Sequence, residues 1–311
     1  MANFIIKDGV CVIPKGVTKI DEDAFRGCTG LTSIVIPDSV TVIGWSAFRD
    51  CTGLTSIEIP KGVTKIEEDA FIDCTGLTSI VIPDSVTEIG YFAFYGCTGL
   101  TNIEIPKGVT EIGDSAFSGC LGLTSIEIPK GVTEIGDEAF YGCTGLTSIE
   151  IPDSVTEIGY AAFEGCTGLT SIKVAEGNKV YDSRNNCNAI IERETNTLIS
   201  GCKSTVIPDS VTKIGRYAFS GCTGLTSIEI PKGVTTIGIE WRAFGSCTSL
   251  TTVTLPVGVN KIEEYVFDGC DSLSTIYVPA KKVDYYKQRL PEELYDKVVE
   301  LAPEKETKIK K

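Results

Sequence analysis

Three glutamates, Glu104, Glu127 and Glu150, recur at intervals of 23 residues within the phrase I-E-I-P. Two carboxylates about 5 Å apart can serve as general acid and nucleophile in glycoside cleavage. Neighbouring parallel strands lie ~4.8 Å apart, so glutamates copied onto successive strands would meet that spacing. At that distance they also repel and raise one another's pKa values. Glu58 and Glu229 hold the same place further away. Three readings follow: a residue copied with a repeat that keeps an exposed face soluble, a charged binding stripe, or a catalytic pair. The third is the weakest, because no other catalytic grouping accompanies it. The chain has no histidine, which removes His-based triads, imidazole acid–base catalysis and His metal sites. No GxSxG and no phosphate-cradling glycine loop occurs, and the Thr-Gly and Ser-Gly pairs recur coil after coil as turns. We therefore expect no enzyme, no cofactor and no metal.

Cysteine is the other reactive residue. There are 13, an odd number. Cys28, Cys51, Cys74, Cys97, Cys120, Cys143 and Cys166 fall one period apart, and Cys222, Cys247 and Cys270 hold the same place later. A residue copied with the period reads as a packing position, where free Cys behaves as a small hydrophobe. No CxxC pair is present to hold zinc,. The expectation is a buried ladder of reduced thiols.

What positions these residues is a repeat. The proline of I-P stands at Pro14, Pro37, Pro60, Pro83, Pro106, Pro129 and Pro152, then at Pro208, Pro231, Pro256 and Pro279, with Ala175 where one would be expected. One coil reads L-T-S-I-E-I-P-D-S-V-T-E-I-G-x-x-A-F-x-G-C-T-G. In Leu146–Ile151 the alternation is that of a half-buried strand, with Ile149 and Ile151 inward and Ser148 and Glu150 outward. Pro152 cannot donate a ladder hydrogen bond and ends it. Val155 and Ile158 return inward along an irregular arm. The segment YAAFEGC is long enough for about one helical turn, with Ala162, Phe163 and Cys166 inward. Each coil is too small to bury its own apolar face, so stacked coils must share one core. Twelve coils at ~4.8 Å would extend roughly 60 Å.

The pattern L-x-x-I-x-I-P-x-x-V-x-x-I-G-x-x-A-F-x-x-C resembles the BspA-like, or Treponema pallidum-type, leucine-rich repeat, from Ala24-Phe25 to Val266-Phe267. The resemblance implies an α/β repeat solenoid: a curved right-handed superhelix with a concave parallel β-sheet and short helical or irregular convex segments. It also implies a surface protein of the adhesin kind, with host matrix proteins among its partners. On that footing the outward strand positions Glu58, Glu104, Glu127, Glu150, Lys173, Glu229 and Tyr277 form the candidate concave binding face. A rival is the convex patch of Tyr91, Phe92 and Tyr95. The alternative is a structural or engineered consensus scaffold with no natural ligand, which near-identical coils would suit; irregular ends favour a natural protein.

The boundaries expected are a capping hairpin over residues 1–14, with Asp8-Gly9 as its turn; repeats over 15–280; a variant coil at 175–207; a helical cap over 281–302; and a disordered tail over 303–311. The variant coil reads as two strands, Ala189–Glu192 and Thr197–Ser200, or as a projection exposing Arg184, Asn185, Asn186 and Arg193. Pro291 with Glu292 and Glu293 suits a helix start, and Leu294, Val298 and Leu301 give it an apolar side. At Ile239–Trp241 the spacing stretches by two residues, which a bulge would absorb.

Net charge is −14 with a pI of about 4.6, so nucleic acid is excluded as a partner. No apolar run approaches the ~20 residues that span a bilayer, so no membrane insertion is expected. The start MANFIIKDGV shows no leader. The expectation is a surface or secreted protein if a leader has been removed, a cytoplasmic one if this is the native start, and in either case a monomer.

Overall fold

The computed structural model describes residues 4–238, 241–263 and 265–302. The tail expected over 303–311 and most of the stretch at Ile239–Trp241 lie outside them. The chain forms two compact units, Met1–Leu169 with Val174–Asn178, and Thr170–Lys173 with Lys179–Lys311. Each is a repeat solenoid of stacked coils with largely parallel strands and very little helix.

In the first unit, Ile6–Lys7 pairs antiparallel with Val10–Val12 across Asp8-Gly9. Both turn residues have positive φ (52° and 80°), which matches the twist of a two-residue hairpin. Val10–Val12 then starts a parallel ladder through Ser33–Val35, Ser56–Glu58 and Ser79–Val81. We call this the wide sheet. Its alternation is as expected: in Ser148–Ile151 the isoleucines are buried while Ser148 and Glu150 are exposed.

The arm after the proline is not irregular. The two residues after the threonine supply a second, two-residue ladder, Lys65–Ile66, Glu88–Ile89, Glu111–Ile112, Glu134–Ile135 and Glu157–Ile158, all parallel and in register. We call it the narrow ladder.

The third side was expected to carry a helical turn and instead runs through consecutive turns. The cause is local. The residue before Ala-Phe is left-handed in coil after coil: Asp23, Ser46, Asp69, Phe92, Ser115, Glu138 and Ala161, with φ between 52° and 61°. A second left-handed residue follows the phenylalanine, as at Gly96, Gly119 and Gly142. A right-handed helix cannot propagate through either.

Phenylalanine forms the spine. Phe25, Phe48, Phe71, Phe94, Phe117, Phe140 and Phe163 stack with centroids 5.2–5.5 Å apart and planes within 8°. All thirteen cysteines are free thiols, and eleven are buried. The repeat thiols lie beside the spine and donate to the phenylalanine carbonyl of the preceding coil, as Cys51 does to Phe25 (3.0 Å) and Cys143 to Phe117 (3.1 Å).

A two-coil alternation is superimposed on the repeat. The proline is followed by Lys-Gly at 15–16 and 61–62, and by Asp-Ser at 38–39 and 84–85. Ser39, Ser85 and Ser154 donate to the carbonyls of Val17, Val63 and Val132 one coil back, at 2.6–2.7 Å. A glycine at that place makes no such bond. In the first coils the sheet pairs three residues deep onto the Ser39 and Ser85 coils but only at Ser33–Ser56 onto the Gly62 coil; the Ser154 coil makes the same tie, yet Ser148–Ile151 does not pair with residues 125–128.

In the second unit the variant coil pairs Ala189–Glu192 antiparallel with Thr197–Gly201. Four wide-sheet strands follow, Ser227–Glu229, Thr252–Thr254, Thr275–Val278 and Val298–Glu300, all parallel. The last of these corrects the expected helix. After a five-residue helix, Val283–Lys287, and a 3-10 turn, Glu292–Lys297, the chain becomes strand. Leu294, Val298 and Leu301 are buried as expected, but Val298–Glu300 reaches the core by closing the open edge of Thr275–Val278. A helix there would leave that edge unpaired. The cap is tied down by Tyr286, fully buried, whose hydroxyl donates to the Pro256 carbonyl. Arg289 lies over the Tyr285 ring at 3.6 Å and donates to the Asn260 carbonyl.

Candidate functional site: the outward face of the wide sheet

The strand alternation forces every second side chain away from the core. In the first unit the outward position holds Val12, Val35, Glu58, Val81, Glu104, Glu127 and Glu150 in chain order, and all seven are exposed. In the second unit Lys173 is exposed, and Glu229, Thr254, Tyr277 and Val299 stand in one register row. Tyr277 is half-buried. Sequence reasoning picked out the charged members and passed over the valines. The signal was there: S-I-V-I-P alternates with S-I-E-I-P in the first coils. Glu58 stands directly opposite Val81, so it does not join the other glutamates.

Glu104 and Glu127 do come together. They line a groove of about 690 Å³ together with Asn102, Lys107, Ser125 and Lys130. No ion pair forms at Glu58, Glu104, Glu127 or Glu150 among the described residues. Among the described residues no group of three or more Cys, Asp or Glu could hold a metal ion.

The rival patch is also exposed. Phe92 meets Tyr95 edge-on at 5.9 Å, and Tyr91 stands in the same coil. Tyr91 faces carboxylates, chiefly Glu111 and Asp114, which push its hydroxyl pKa up. Those carboxylates belong to a third surface that the sequence reading missed. The narrow ladder aligns Glu88, Glu111, Glu134 and Glu157, and burial, then Glu111 and Glu157, raise the pKa of Glu134.

The variant coil forms the two strands expected of it, and of the residues of the projection reading only Arg184 is drawn in. Arg184 is half-buried and holds Asp182 at 2.8 Å, while Arg193 reaches the same carboxylate at 3.2 Å. Burial alone would raise the Asp182 pKa; hydrogen bonds from Arg184 and the two positive charges outweigh it and hold it low. Asn185, Asn186 and Arg193 are exposed.

The thiols at the centre of the first unit's ladder are shifted away from nucleophilic use. Burial pushes Cys51 and Cys143 up to about 12, and Cys97 and Cys120 are raised well above their ordinary value for the same reason. A nucleophilic cysteine needs the opposite shift.

The BspA-type leucine-rich repeat region model matches residues 10–121, 64–191 and 190–290. The chain belongs to the BspA-type leucine-rich-repeat family. A leucine-rich cell surface protein from Faecalibacterium prausnitzii is 30% identical, over 91% of this chain and 94% of that one, with a TM-score of 0.64. Two further solved structures share the fold. The pneumococcal vaccine antigen PcpA is 21% identical over 89% of this chain and 80% of its own, with a TM-score of 0.63. A leucine-rich repeat protein from Eubacterium ventriosum is 24% identical over 88% and 75%, with a TM-score of 0.54. No curated protein sequence matches the chain. This BspA-type chain is thus a leucine-rich-repeat solenoid of the protein-binding kind. Among the described residues no helix is long and apolar enough to cross a membrane.

Proposed function

We propose that this protein is a non-enzymatic adhesion module of a cell surface, and that it binds a protein partner, with host matrix proteins as the first candidates, through the outward face of the wide sheet. The observation that carries this reading is the exposed row Val12, Val35, Glu58, Val81, Glu104, Glu127 and Glu150. It combines uncovered branched apolar side chains with carboxylates that have no internal cation. Single exposed apolar residues are ordinary, but an aligned set beside a charged row is the composition of a recognition surface. The face is broad, which suits a macromolecule better than a small molecule, and solenoids commonly bind on such faces. Likeness to a cell surface protein supports the location. The carboxylates would steer a basic patch on the partner and make association faster at low salt.

The test begins with capture on a panel of immobilised extracellular matrix proteins. Two variants are then compared: Glu104, Glu127 and Glu150 to Lys, and Tyr91, Phe92 and Tyr95 to Ser. The first should abolish capture and the second should leave it. Loss of capture with the aromatic variant alone, both variants being folded, would transfer the site to the turn side of the coils.

A further inference from the structure

The C-terminal cap imitates one further coil over part of the second unit's end and then stops. Over the wide sheet, Val298–Glu300 takes the place of the next strand. Over the arm, the Tyr285 hydroxyl donates to the Val259 carbonyl (3.2 Å), as serines of a following coil do to Val17 and Val63. Arg289 donates to the Asn260 carbonyl (3.1 Å); the equivalent carbonyls of Thr212 and Thr235 receive the amides of Thr235 and Asn260.

Beyond that point nothing stands in for the next coil. The narrow ladder of the second unit runs through Lys213–Ile214, Thr236–Ile237 and Lys261–Ile262, in register. The Ile214 and Ile237 carbonyls accept from the amides of Gly238 and Glu263 (3.0 and 3.1 Å), but among the described residues the Ile262 carbonyl has no donor. Lys261 and Glu263 donate back to the preceding coil, so Ile262, between them, turns both its backbone groups outward. Its side chain shows the same gap: Ile262 is half-buried, whereas Ile214 and Ile237 are fully buried. A cavity of about 930 Å³ is lined by Ile262 and Glu263, by Phe267 and Cys270 of the same coil, and by Leu290 and Leu294 of the cap. It is an open strand edge with an apolar lining.

Residues 303–311 lie outside the described structure, but their sequence returns to the repeat. Pro303, Thr307, Lys308 and Ile309 keep the spacing of Pro14, Thr18, Lys19 and Ile20, and of the same four residue types at Pro60–Ile66 and Pro208–Ile214. In those three coils the Lys-Ile pair is the ladder strand. The valine that precedes their threonine is replaced by Glu306. At this end Tyr286 of the cap is fully buried and its hydroxyl reaches Pro256, so no further apolar side chain is needed over the arm. The chain leaves the wide sheet at Leu301, whose amide donates to the Val278 carbonyl (2.7 Å). Six residues from Ala302 to Lys308 reach up to about 20 Å.

We propose that Thr307-Lys308-Ile309-Lys310 is the missing ladder strand, and that it docks in this cavity parallel to Lys261–Ile262 and shuts the edge that the cap leaves open. In the register of the preceding pair, Lys213 with Thr236 and Ile214 with Ile237, Ile309 falls opposite Ile262 and Lys310 opposite Glu263. Ile309 then covers the half-buried isoleucine, and the Lys310 amide supplies the donor for the Ile262 carbonyl. Opposite charges face one another at Glu263 and Lys310, which favours this pairing. Lys308 falls opposite Lys261, an unfavourable pair that Lys261 offsets through its own ion pair with Glu263. An open edge is a template for strands of other chains; a tethered strand of the same chain holds the place at a much higher effective concentration.

The test is hydrogen exchange and methyl NMR on the full chain. We expect the Ile262 and Lys310 amides to be protected at least ~10-fold relative to that of Lys305, and a nuclear Overhauser effect to join the methyl groups of Ile309 and Ile262. Ile309→Asp should remove both protections and Ile309→Val should keep them, with the Ile214 and Ile237 amides unchanged in either variant. A Lys310 amide that exchanges as freely as Lys305, Ile262 protection that survives Ile309→Asp, or absence of the methyl contact would each overturn the proposal. So would protection that grows with protein concentration, which would put a second copy's strand in the cavity.

Discussion

Phe140 is fully buried, between Phe117 at 5.4 Å and Phe163 at 5.5 Å. Truncating it to alanine removes a ring from the middle of a continuous stack, and the flanking rings are fixed by their own coils and cannot collapse into the space. Phe140→Ala should therefore cost about 3–5 kcal/mol in urea denaturation. A change below about 1 kcal/mol would mean that the stack is not a core. The side-chain facing of such residues was readable beforehand, because a residue copied every 23 positions with apolar neighbours must point inward. The identity of the site residues was only half readable. Glutamates attract notice as chemistry, whereas Val12, Val35 and Val81 look like core until the register places them outside.

The elements between these residues owe their form to backbone more than to propensity. The turn side was expected to be helical because Y-A-A-F-E-G-C contains good helix formers, yet two left-handed residues per coil forbid it. Two glycines in the same coil separate the causes. Gly142 has φ of 66° and open space where an alanine methyl group would stand, whereas at Gly145 a Cβ would lie 2.6 Å from the Leu121 carbonyl oxygen. Gly142→Ala should cost about 1 kcal/mol, the left-handed penalty less the entropy that alanine removes from the unfolded chain. Gly145→Ala should cost clearly more, since the coil itself must shift. Thermal melts of the two variants, side by side, check the order. The narrow ladder escaped the sequence reading for a related reason: two residues, the Glu-Ile of T-E-I-G, are too few for a period of two to declare itself. The C-terminal strand escaped because Leu294, Val298 and Leu301 fit a helical spacing as well, and only the open edge of Thr275–Val278 decides between them.

At the scale of the whole molecule, the thiol ladder links stability to pH. Cys51 and Cys143 are raised from 9.0 to about 12 by burial. Between those values the unfolded chain has lost the proton and the folded chain keeps it, so unfolding gains as pH rises. The stabilisation is complete below pH 9 and disappears on the way to about 12, with each thiol contributing about 1.4 kcal/mol per pH unit,. Under reducing conditions the urea midpoint should fall steeply between about pH 9 and 11, and Cys51→Ala with Cys143→Ala should flatten that fall. A midpoint that stays level over this range would contradict burial of the ladder. The fold class was legible at this scale because a period is a statement about every coil at once; the partner is not, because it depends on where the copies differ.

The serine ties make the true building block two coils long, and the chain keeps to it until two lysine–glycine coils, those of Pro106 and Pro129, come in succession. That is a phase slip in an otherwise even–odd pattern. Copy number can then change in pairs of coils without disturbing the pattern, whereas adding or losing a single coil leaves a fault. Here a fault already exists, so the rule inverts locally: excising residues 107–129, one period, would restore the even–odd order of the coils up to Pro152. The stretch of the first unit's wide sheet without strand pairing, over 102–105 and 125–128, and the run of three glutamates thus fall on one phase slip, and shortening the chain at that point would take Glu127 out of the run.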